Sequence, residues 1–226
     1  MFIATLLIST ALIAPNGSLI QNGSTCYTTS IQKADKLDVL GITWQSIQRA
    51  KLGERDVIKV VIHQWMAGGK LDMRDSFVLD AKDLQAIAFT NERNGKRHVQ
   101  LAYSEGRVRG TRLKPDGSSE EIDTVTGSPI WDGNLYGVMF AALPLTQDAQ
   151  YRLPTYHYDK GIGEHKVKVI AQEAGVWELE VEINDNLRPR YQIEQISRRE
   201  LGYKAGPYVN ALGGDCTALE QRKSTL

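Results

Sequence analysis

The residues best able to do chemistry crowd one short stretch, where His157, Asp159, Glu164 and His165 surround Gly161-Ile-Gly163. Imidazoles and carboxylates at this density could ligate a divalent metal or serve a hydrolytic site. A solvated polar turn accounts for the same four residues, so His157, Asp159 and His165 stand as metal-ligand candidates only in the alternative reading and no metal is assigned. The chain has no Gly-x-Ser-x-Gly elbow, phosphate-cradling loop, dinucleotide fingerprint or His-Glu-x-x-His motif. His63 falls inside an apolar run, the setting of a satisfied core histidine. No catalytic residue and no cofactor are therefore expected.

Charge narrows the partners. Lys plus Arg and Asp plus Glu both number 27, giving a net charge of zero, so no long-range field favours nucleic acid. Arg107, Arg109, Arg112 and Lys114 are expected to line one side of a strand, where they could meet an acidic headgroup or partner, or form a solvated outer face with acidic neighbours such as Glu120 and Glu121. Arg188, Arg190, Arg198 and Arg199 form a second basic group that could meet an anionic lipid. Hydrophobic residues at 42% and aromatic residues at 8% exclude a disordered chain.

The elements that must position these groups are strands. In Trp177-Glu-Leu-Glu-Val-Glu-Ile183 the apolar residues alternate with three glutamates, the pattern of a half-buried strand. A loop through Glu173-Ala174-Gly175 joins it to Lys166–Ile170 and sets Lys168 across from Glu180 and Lys166 across from Glu182. Asn94-Gly95, flanked by alternating runs, predicts a tight type I′ hairpin. Arg55–Met66 is apolar on both faces, as in a covered central strand. Further strands follow at Leu71–Leu79, Arg107–Leu113, Ser119–Val125, Gln150–Tyr158 and Arg190–Ile196. The expected class is all-β with minor α: a strongly curved antiparallel sheet or incomplete barrel of about ten to twelve strands.

One apolar segment breaks the meander. Leu135, Val138, Met139, Ala142 and Leu143 recur at helical spacing, Asp132 or Asn134 can cap the start, and Pro144 ends it, which predicts a short helix near 132–143. Such a helix either covers a solid core or forms a lid over a cavity. Trp44, Trp65, Leu135, Met139 and Trp177 are the candidate ligand-lining residues.

Residues 1–14, MFIATLLISTALIA, resemble a signal-peptide core and are short for a membrane span. No Lys or Arg precedes the run and Pro15 follows Leu12-Ile13-Ala14, so it reads as a cleaved or defective signal, or as a buried element of the fold. Cys26 and Cys216 would form one disulfide in an oxidising compartment, or two buried thiols in a reducing one. Gly23-Ser24-Thr25 does not suit a lipoprotein cysteine.

The order of elements includes Phe77-Val-Leu-Asp80 with Leu84, Gly106-Arg-Val-Arg-Gly110, a central helix ending in Leu143-Pro-Leu145, Tyr151-Arg-Leu-Pro154 and the Trp177 strand. Over about residues 30–203 this resembles exported bacterial domains of unknown function with a half-barrel similar to the LolA and LppX lipid and lipoprotein carriers. The resemblance implies an inner apolar surface for acyl chains. The expected organisation is a signal-like segment (1–25), a curved β domain (26–205) and a C-terminal tail (206–226). The expected function is non-enzymatic binding of an apolar or amphipathic molecule, a lipid or lipoprotein acyl chain, by a monomer in the periplasm with peripheral envelope association. A packed interaction domain, or an enzyme at the 157–165 loop, are the alternatives.

Overall fold

The computed structural model describes residues 13–127, 129–184 and 186–221. The chain opens with β1 (Gly23–Lys33), β2 (Lys36–Leu52), β3 (Arg55–Met66) and β4 (Leu71–Asp80). Next come β5 (Ala86–Arg93), β6 (Lys96–Ser104), β7 (Arg107–Leu113), β8 (Ser119–Val125) and the two-residue β9 (Trp131–Asp132). After the helix α1 (Gly137–Ala141) follow β10 (Gln150–His157), β11 (Gly161–Glu173), β12 (Val176–Glu182), β13 (Arg190–Glu194), β14 (Glu200–Ala205) and β15 (Tyr208–Leu212). A short α2 (Thr217–Gln221) comes last. All strands join one unclosed sheet in the order β8-β7-β6-β5-β4-β3-β2-β1-β15-β14-β13-β12-β11-β10-β9, antiparallel except for the parallel β9–β10 pair.

Local sequence explains the register. Asn94 and Gly95 take positive φ (49° and 73°), as a type I′ turn requires, and Arg93 pairs with Lys96 across it. Lys166 lies opposite Glu182 and Lys168 opposite Glu180. On β12, Trp177, Leu179 and Val181 point inward and the glutamates outward. Among the described residues five register shifts, including Thr29/Ser30, Asn91/Glu92 and Gln192/Ile193, bend the strands that carry them. The bend is large. Flat, β4 and β13 would stand about 29 Å apart, six strand spacings of about 4.8 Å, yet Asp75 and Tyr191 line one cavity. Toward the sheet's ends Tyr103 on β6 donates to Asp132 on β9 at 2.6 Å, and Arg112 on β7 reaches the Tyr158 carbonyl.

The main core fills the inner face. Leu135, Met139, Phe140 and Leu143 have no exposed surface and pack with Phe77, Phe89, Leu101, Leu153, Leu179 and Ile193. The helix is shorter than the spacing predicts. Asp132 pairs with Tyr156 in the sheet and its Oδ1 accepts the Asn134 amide, which holds 132–136 as strand and turn.

Three expectations on organisation change. Among the described residues the strands number fifteen rather than ten to twelve, because the Ser/Thr-rich β1, the two-residue β9 and the glycine-flanked β14 and β15 carry weak alternation. The C-terminal residues are not a detached tail: β15 pairs with β1 and β14 at the centre of the sheet. Of the signal-like stretch, residues 1–12 lie outside the described residues, but the segment behind it is built in. The Asn16 amide donates to the Ala142 carbonyl at 2.7 Å, Arg49 donates to the Gly17 and Ile20 carbonyls, and Ile20 is buried.

The outer face of β2 and β3 is covered too. Cys26 and Cys216 form a disulfide that places α2 against Trp44, whose Nε1 donates to Glu220 at 3.1 Å. With a sequence separation of 190 residues, this link constrains nearly the whole unfolded chain, a stabilisation of about 2–5 kcal/mol. Among the described residues no helix is long and apolar enough to cross a membrane.

Candidate functional site

The inner face of the central strands is not filled to the same density as the region around α1. A cavity of about 300 Å³ lies between β1–β4 on one side and β13–β15 on the other, with the turn before α1 at one end. Cross-strand register decides its lining. Tyr27 pairs with Thr43 and Thr43 with Gln64, while Gln45 pairs with Ile62 and Ile62 with Asp75, so these side chains share one face. From the opposite wall Tyr191 pairs with Tyr203, and Tyr203 with Asn210. Ile62, Met73, Ile183 and Leu187 supply the apolar portion.

Among the described residues, two carboxyl groups reach this space. Glu200 emerges from β14 against Gly137, where any Cβ would fall within 1.6 Å of its Oε2, so the missing side chain of Gly137 makes room for the acid. Burial raises the Glu200 carboxyl from 4.5 to about 7. The Tyr27 hydroxyl donates to the Glu200 backbone carbonyl at 3.1 Å. Asp75 is also raised to about 7, by burial first, against the lowering effect of Asn91, which donates to it at 2.6 Å. Behind it, Asp132 is buried, raised to about 6, and held by Tyr103 and Asn134. Burial likewise raises the phenols of Tyr27, Tyr136 and Tyr203. Among the described residues no Lys, Arg or His lines the cavity.

A second cavity, of about 290 Å³, adjoins the first and shares Gln45 and Glu200 with it. Arg198 and Arg199 border this second space. Arg198 donates to the Leu143 carbonyl and Arg199 meets Glu194 at 3.5 Å.

The five residues expected to line a ligand site lie elsewhere. Trp44 and Trp65 belong to the outer-face cluster with the disulfide, because β2 and β3 direct Thr43, Gln45, Ile62 and Gln64 inward instead. Leu135 and Met139 are sealed in the core, and Trp177 packs there at 8% exposure. The turn that carries Leu135 does reach the cavity, through Asn134 and Tyr136, and α1 reaches it through its first residue, Gly137. What sequence reasoning missed carried a signal at one position. Asp75 sits at the inward parity of Met73, Phe77 and Leu79, so an acid at a core position of a strand was readable.

The 157–165 loop does not gather ligands. His157 pairs with Asp159, Glu164 with Arg152, and His165 turns inward to the Gly133 carbonyl at 3.4 Å. Burial depresses His165 to about 4. No group of three or more His, Cys, Asp or Glu placed to hold a metal occurs among the described residues. The basic groups are similarly engaged. Arg107 and Arg109 meet Asp123, whereas Arg112 points to the opposite face and meets Glu120, so the run does not share one side. Arg188 and Arg190 pair with glutamates of β12.

Known proteins add little beyond kinship. No curated protein matches the chain. A solved structure of a DUF1089 family protein from Pseudomonas aeruginosa is similar over 73% of this chain and 90% of its own, at 11% identity and a TM-score of 0.42. The chain belongs to the family described as protein of unknown function (DUF3108), which matches residues 26–175.

Proposed function

We propose that this protein is an exported, non-enzymatic binder of an amphipathic small molecule, held on the inner face of a half-barrel of the kind used by the LolA and LppX carriers. The observation that carries the reading is the inner-face cavity of about 300 Å³, at the lower end of the range for ligand sites, apolar at Ile62, Met73 and Ile183 and polar at Glu200, Asp75 and the tyrosines. An interior built only for stability would fill this space with aliphatic side chains, as it does beside α1. The Cys26–Cys216 disulfide supports an oxidising compartment and hence export. The helix α1 is a fixed plug in this reading, not a lid, since its inward residues are sealed into the core.

Native mass spectrometry of protein purified from its own host tests the proposal. A discrete small-molecule adduct, removed by organic extraction and absent after Tyr203→Trp narrows the cavity, is the expected result. Adduct-free protein that also fails to take up any amphipathic probe would reject it in favour of a packed interaction domain.

A further inference from the structure

Resting on the ligand-binding reading, the polar end of the cavity identifies the class of guest. We propose that it receives a primary ammonium group, so that the ligand is a long-chain amine or an amine-bearing lipid and not a fatty acid. Three independent features of the wall point this way. The two ionisable acids that line it, Glu200 and Asp75, are not matched by any Lys, Arg or His among the described lining residues. The remaining polar wall is rich in acceptors and ring faces: Tyr27, Tyr136, Tyr191 and Tyr203 surround the space, and a cation beside tyrosine rings is favoured by their quadrupoles. Finally, the Thr43 hydroxyl lies at this wall, only 6% exposed, and its Oγ1 has no hydrogen-bond partner among the described residues. A desolvated hydroxyl without a partner costs free energy, and a three-donor ammonium would satisfy it.

The surroundings of each acid fix the protonation chemistry. Glu200 faces Tyr27 from β1, Tyr191 from β13 and Tyr203 from β14. Arg199 next to it is engaged with Glu194, and Arg198 with the Leu143 carbonyl. Asp75 faces Asn91 and Asp132. Nearby Arg93 is held by the Asn91 amide oxygen and the Tyr158 hydroxyl. Since both lining acids titrate near neutrality in the empty protein, a bound ammonium drives them to carboxylates and each proton displaced passes to solvent. Affinity for a cation therefore rises with pH through about 7. A fatty-acid carboxylate has the reverse dependence at this wall, and its charge could be met only from the Arg198 and Arg199 side of the neighbouring cavity.

Three probes with one tail separate the outcomes: decylammonium, decanol and decanoate, titrated calorimetrically into the full chain at about pH 6 and about pH 8. Decylammonium is expected to bind at least about tenfold more tightly than either other probe at the higher pH. Its affinity should fall several-fold at the lower pH, and Glu200→Gln should reduce that dependence, leaving the share that Asp75 contributes. Lys168→Gln on the outer face serves as the unchanged control. Equal binding of all three probes, or preference for decanoate, overturns the ammonium assignment and leaves the ligand-binding reading standing. Failure of all three to bind the folded wild-type protein overturns both. The probe comparison uses wild-type protein alone, so it decides the matter even where Glu200→Gln fails to fold.

Discussion

One face of one sheet holds two unlike interiors. Around α1 and along β4–β7, Phe77, Phe89, Leu101, Leu135 and Met139 are almost entirely buried, with the Phe77 and Phe89 rings 5.0 Å apart. A few strands away, across β1, β2 and β13–β15, the same face carries Tyr27, Gln45, Tyr203, Asn210 and a half-buried glutamate around open space. Sheet geometry is common to both, so the difference lies in side-chain chemistry. The first region maximises apolar burial and contact, and the second accepts desolvated polar groups that a folding sequence has no reason to keep. Stability resides in the former, and the proposed recognition of a guest in the latter.

If that division is sound, damage to the packed region should unfold the protein without altering the chemistry of the cavity. Phe89→Ala removes a fully buried ring that packs on Phe77 and Tyr158, and should cost about 3–5 kcal/mol. In a chain of this length that lowers the thermal midpoint by about 10 °C. Below the transition, the variant should keep the wild-type preference among the decyl probes. A loss of preference without unfolding would show that the two regions are coupled.

Glu200→Gln should act on the other region and more weakly. The native carboxyl is raised from 4.5 to about 7, so the folded state holds its proton more tightly than the unfolded chain does. Folding stability is then complete below about pH 4.5 and declines as pH rises toward about 7, by up to about 2–3 kcal/mol from this residue, less where the cavity admits water. Gln resembles the protonated acid and does not ionise. The variant should match wild type at about pH 4 and exceed it at about pH 8 in ligand-free protein. Asp75 and Asp132, also raised by burial, leave a residual slope of the same sign. Parallel curves for wild type and variant would show that Glu200 is solvated.

The contrast also explains what was legible from sequence. Period-2 alternation reads cleanly where one face is apolar and the other charged. β12 and the Asn94-Gly95 hairpin were therefore placed correctly, down to Lys166 opposite Glu182. β1 was missed because its inward residues Thr25, Tyr27 and Thr29 look like outward ones, having the polarity of a cavity wall. On β2 and β3 both faces are covered, so apolarity alone could not say that Trp44 and Trp65 turn outward. The disulfide was readable because pairing two cysteines needs no register. The cavity was hidden because its walls come from strands far apart in sequence, and the curvature that joins them is distributed over several bulges.

The smallest expected effect separates the regions most cleanly, because stability and binding should move in opposite directions. Thr43→Val keeps the shape and the strand preference of the side chain and removes a buried hydroxyl that has no hydrogen-bond partner among the described residues. Without ligand, the substitution should be neutral or stabilising by about 1 kcal/mol, since a desolvated oxygen is replaced by a methyl group. Decylammonium affinity should fall several-fold, because the guest loses an acceptor that the empty protein was keeping at a cost. Decanol affinity should change less. In the packed region no such opposition is available, as trimming any of its side chains removes contacts and lowers stability alone. Were Thr43→Val to destabilise the free protein, its hydroxyl would belong to the structural interior, and the boundary between the two regions would have to be drawn closer to Glu200 and Tyr203.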